Sequence, residues 1–64
     1  MSTEERIQGG LNILRREARG CRGQGWPTYH DIMRRAEDHV WACGGEWFKI
    51  QDQFSREILD LMNL

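Results

Sequence analysis

Apolar residues recur every seven positions through the second half of the chain, at Met33, Val40, Trp47, Phe54 and Leu61, and this seam constrains the fold more than anything else in the sequence. Tyr29, Ala36, Cys43 and Ile50 interleave with it at the same period. Apolar side chains at alternating spacings of three and four share one side of an α-helix. Such a seam must be covered, and 64 residues leave little chain to cover it. A domain this small buries only about 60% of the surface its unfolded chain exposes. One core of that size rarely supplies more than ~3–5 kcal/mol without a staple, a metal or a partner. The expected fold is all-α, and a single small domain spans residues 1–64. It is either a helical hairpin, with a short first helix and a long, kinked second one, or a three-helix bundle. Both are expected to associate as a helical homodimer.

The first helix is marked by Ser2-Thr3-Glu4-Glu5, which has the spacing of a capping box. Ile7, Leu11, Leu14 and Ala18 follow as one stripe, and Gly20 is a natural stop. Gly9-Gly10 falls inside this helix, at a cost of about 1 kcal/mol per glycine relative to alanine, and marks either a close helix crossing or a helix that is firm only from Leu11 onward. The glycines at 20, 23 and 25 make the next segment a loop. Thr28 is a suitable N-cap with Pro27 just outside, so the second helix is expected over Tyr29 to Cys43.

Gly44-Gly45 decides between the two architectures. The seam keeps its phase across the pair, through Val40, Cys43, Trp47 and Ile50. A chain reversal has no need to preserve phase, so the pattern favours a continuous helix, which alanine at both glycines would strengthen. The last segment, Glu46 to Met62, reads as helix with Trp47, Ile50, Phe54, Ile58, Leu61 and Met62 inward.

Charge is unevenly divided. Residues 6–35 carry seven Arg against Glu17 and Asp31, while residues 36–64 carry six acids against Lys49 and Arg56. The two halves can therefore attract each other, or one can meet a charged partner. Arg15, Arg16, Arg19 and Arg22 come near Arg34 and Arg35 if the first two helices form a hairpin. That arginine-rich end is a candidate anion or nucleic-acid contact, with Trp26 placed to stack on a base. Against it stands a pI near 6.1, since dedicated nucleic-acid domains are strongly basic.

Chemistry-bearing patterns are weak. His39 and Cys43 share a helix face, but a structural zinc site takes four ligands, and the others on offer are the scattered Cys21 and His30. Tyr29-His30-Asp31 are adjacent and point in different directions on a helix. No catalytic residue, metal site or cofactor is expected. The two cysteines read as free thiols. The first 15 residues are charged and periodic, so neither an export signal nor a membrane span is expected, and the expected compartment is the cytoplasm.

The aromatics carry the functional expectation. Trp41 and Phe48 lie beside the seam with Gly44 and Gly45 between them. Met33, Val40, Trp47, Ile50, Phe54 and Leu61 are the expected core or self-association seam. Trp41, Gly44, Gly45 and Phe48 are the expected partner interface, because aromatic anchors dominate interfaces and small residues allow close approach. The expected function is that of a small interaction module, an inhibitor, adaptor or regulator of the kind phages and mobile elements encode. It would bind itself and another protein. The alternative is a small nucleic-acid-binding regulator.

Overall fold

A computed structural model describes residues 2–64. The chain forms three helices, α1 (Thr3–Gly20), α2 (Trp26–Ala42) and α3 (Trp47–Met62), each packed against both others. No helix is long and apolar enough among these residues to cross a membrane.

Helix α1 follows its sequence signals closely. The Ser2 hydroxyl accepts from the Glu5 amide at 3.1 Å, and the Glu5 carboxylate accepts from the Ser2 amide in return, completing the capping box. Its stripe of Ile7, Leu11, Leu14 and Ala18 is buried. Helix α2 begins earlier than expected. Gly25 is its N-cap and Pro27 lies inside the first turn, where its missing N–H would have no helical acceptor in any case. Thr28 is therefore helical rather than a cap. Helix α2 turns Ile32, Ala36 and Val40 fully inward, with Tyr29, Met33 and Cys43 packed partly buried beside them.

The expected continuous helix does not form. Helix α2 ends at Ala42, and Gly44 takes φ 81°, a left-handed conformation that only glycine adopts without a steric penalty. The Gly44 amide donates to the Trp41 carbonyl at 3.0 Å and the Gly45 amide to the Val40 carbonyl at 2.9 Å, the paired bonds of a Schellman motif. The chain then turns back, and Glu46 leads into α3. The phase of the seam survived because each helix is amphipathic on its own. The four connecting residues, 43–46, happen to bring the two stripes into register in the sequence. Val40, Trp47 and Phe54 are 0%, 6% and 1% exposed, so that part of the seam is closed within one chain.

Two glycines set how closely the helices meet. A Cβ at Gly45 would lie 2.6 Å from Ile7 Cδ1 and 3.0 Å from Val40 Cγ1. A Cβ at Gly10 would enter the ring of His39, whose Nε2 is hydrogen-bonded to the Arg6 carbonyl at 3.0 Å. Gly9, by contrast, faces open space. The four positions should separate on alanine substitution followed by chemical denaturation. Gly9→Ala should gain about 1 kcal/mol from helix propensity. Gly44→Ala should lose about 1–2 kcal/mol from its left-handed backbone, and Gly10→Ala and Gly45→Ala about 1–3 kcal/mol each from overpacking.

Candidate interaction face

The three edges of the bundle differ in how much of their polar chemistry is spent internally. Between α1 and α3, the Arg15 guanidinium donates to both Glu57 carboxylate oxygens, at 2.8 and 3.3 Å. It also donates to Gln8 and Asn12, and lies 5.4 Å from the centre of the Phe54 ring. Between α1 and α2, Arg35 holds Glu17 through two bonds of 2.8 Å and adds Asp31 at 3.3 Å. The hydrogen bonds from Arg35 hold the Glu17 carboxyl below the usual carboxylate range, and those from Glu17 and then Asp31 raise the Arg35 guanidinium. At the far end, Arg22 donates to the Leu61 carbonyl at 3.2 Å, satisfying one of the orphan acceptors at the C-terminus of α3.

The α2–α3 edge is different. Outward from the buried stripe, α2 presents Trp26, His30, Arg34, Glu37 and Trp41, and α3 presents Phe48, Gln51 and Asp52. Between them runs an open groove of about 300 Å³, floored by Met33 and Trp47. A hydroxyl–hydroxyl bond from Tyr29 to Ser55 ties the two helices together at one end. At the other end, beside the Gly44 turn, the Trp41 and Phe48 rings lie 6.4 Å apart. They remain 48% and 65% exposed, although the core is complete without them. Trp41 Nε1 donates to Glu37 at 3.3 Å, so the indole has its partner in place. Trp26, 54% exposed, meets the edge of Tyr29 at 5.4 Å and 88°.

The candidate residues from the sequence therefore fall into separate groups. Val40, Trp47 and Phe54 are core, while Met33, Ile50 and Leu61 are half-buried at its margin. Trp41 and Phe48 come together on the surface. Gly44 is exposed at the turn between them, but Gly45 turns toward Ile7 and makes an intrachain crossing. The arginines do not gather into one patch. Arg15 lies on the α1–α3 edge, Arg35 on the α1–α2 edge and Arg34 in the α2–α3 groove. Arg16 and Arg19 are exposed on α1. The Cys43 sulfur sits 3.7 Å from His39 Nε2, but no group of three metal-ligating side chains assembles among the described residues. Sequence reasoning passed over Ile13, which is 63% exposed on the outer side of α1, and the placement of Arg34 and Asp52 along one groove.

Comparison with family models, with curated proteins and with solved structures finds no match to this chain. The two classes of aromatic residue should separate in thermal and chemical melts. Trp47→Ala and Phe54→Ala should each cost about 3–5 kcal/mol. Trp41→Ala and Phe48→Ala should cost no more than about 1 kcal/mol, as is usual for surface positions.

Proposed function

We propose that this protein is a small, non-catalytic interaction module that inhibits, adapts or regulates by occupying a surface of another protein, with the α2–α3 face as its working surface. One observation carries the reading: Trp41 and Phe48 stand side by side in solvent, next to an open groove, on a chain whose core does not use them. Exposed apolar patches on small proteins mark interaction sites. Tryptophan is among the residues that most often anchor interfaces, in part because its ring buries much area at little entropic cost. The surrounding Arg34, Glu37 and Asp52 supply a polar rim that can set register. Self-association belongs to the same reading, since an apolar face on so small a chain gains from any cover. The reading as a nucleic-acid regulator has less support, because the arginines that suggested it are spread over three edges and two of them are committed to carboxylates.

A capture experiment tests the proposal. Wild-type protein and the W41S/F48S double variant are immobilised and exposed to extract of the native host cell. The variant should melt close to wild type yet lose a protein that the wild type retains. Retention of the same proteins by both baits, or of none by the wild type, would remove this face as the partner surface.

A further inference from the structure

Arg34 and Asp52 face each other across the α2–α3 groove, from opposite helices. They lie at a level between the Tyr29–Ser55 bond and the Trp41–Phe48 pair. Neither makes an ion pair or a side-chain hydrogen bond among the described residues; Arg16, Arg19 and Arg56 are unpaired as well, but none of them lines this groove. One face thus carries an uncommitted cation on one helix, an uncommitted anion on the other, and an aromatic residue on each. That pattern is complementary to itself.

We propose that a second copy of this chain seats on the α2–α3 face, about a two-fold axis parallel to the helices. The proposal rests on the reading of this face as a working surface and names its occupant. Rotation about that axis lays each α2 over the partner's α3. Arg34 then meets the partner subunit's Asp52, and Asp52 meets the partner subunit's Arg34. Trp41 stacks on the partner's Phe48, giving a cluster of four rings at the Gly44 end. Because α2 and α3 run antiparallel within the chain, every α2–α3 contact across the interface is antiparallel as well. A two-fold axis perpendicular to the helices is disfavoured: it would lay α2 over α2 and bring the two Arg34 side chains toward one another, an unfavourable like-charge contact.

The energetics agree. Trp41 Nε1 is already satisfied by Glu37, so covering the indole strands no donor. A standard interface of ~800 Å² per partner takes about a fifth of the 4441 Å² surface. That is one side of a bundle 34 Å long and 19 by 16 Å across. The interface is isologous, so one Arg34–Asp52 complementarity is counted twice. It also places the Trp41–Phe48 pair under cover until a foreign partner displaces the second copy.

Sedimentation equilibrium of the full chain across the micromolar range tests this. The expected mass is twice that of the 7.6 kDa chain. R34E and D52R, both on exposed positions, should each weaken the dimer roughly tenfold or more. The R34E/D52R double variant should return toward the wild-type constant, because it restores opposite charges in exchanged places. F48S, at a residue 65% exposed, should weaken the dimer without lowering the melting temperature measured at concentrations where both proteins are monomeric. A monomer at every concentration overturns the proposal. A dimer indifferent to the single charge variants, or double-variant weakening equal to the sum of the singles, also overturns it. None of these results bears on whether the W41S/F48S bait loses a foreign protein, so the two proposals fail separately.

Discussion

The fold depends on the docking of Ile7 against Gly45, immediately after the chain reverses at Gly44. Without that reversal, α2 and α3 would form one rod with its apolar seam uncovered. With it, Val40 and Trp47 stand on neighbouring helices and α1 closes over both. Glycine in the interior of a helix costs about 1 kcal/mol relative to alanine. Full burial of one large apolar side chain returns roughly 1.5–3 kcal/mol, and Trp47 and Phe54 are both buried. The balance therefore favours breaking the helix, so long as the third helix can approach closely. Gly45 under Ile7 and Gly10 beside His39 provide that approach.

The same constraint explains what the sequence revealed and what it hid. The stripe of α1 and its capping box depend on residues within a few positions of each other, and both are present as read. The Gly44-Gly45 reversal was legible only as one of two alternatives, and the phase of the seam pointed to the other. A three-four alternation describes each helix in its own frame and is blind to a turn that leaves the frames in register. Ile32 was missed because the heptad seam directed attention to Met33. In a bundle, α2 packs against two neighbours, so its inward line falls at Ile32, Ala36 and Val40, between the two contacts. The start of α2 was placed late because Pro27 and Thr28 were read as a boundary, whereas the Gly25 N-cap tolerates proline in the first turn.

The candidate face was legible in part. The exposure of Trp41 and Phe48 follows from their position beside the buried stripe. The fate of the arginines does not. Glu57 is 42 residues from Arg15, and Glu17 is 18 from Arg35, so only the tertiary fold pairs them. The single basic end suggested by clustering in sequence dissolves once α1 and α2 show those residues to different neighbours.

One of these pairs, Arg15 with Glu57, joins the basic half of the chain to the acidic half. Helix α1 is fastened to α3 by Arg15 and Glu57, and Arg35 of α2 takes Glu17 of α1. Arg15 and Glu57 are only partly exposed, and their geometry is bidentate, which makes them more than the weak surface pairs that contribute little. Two edges of the bundle are thereby fixed by charge as well as by apolar contact. On the third, the internal polar tie between the helices is the Tyr29–Ser55 bond, and Arg34, Asp52 and the aromatic pair face outward. A chain this small has few residues beyond those its core and helix ends require. Two large aromatic rings stand in solvent beside an unpaired cation and an unpaired anion, and these are the groups on which the proposed interface draws.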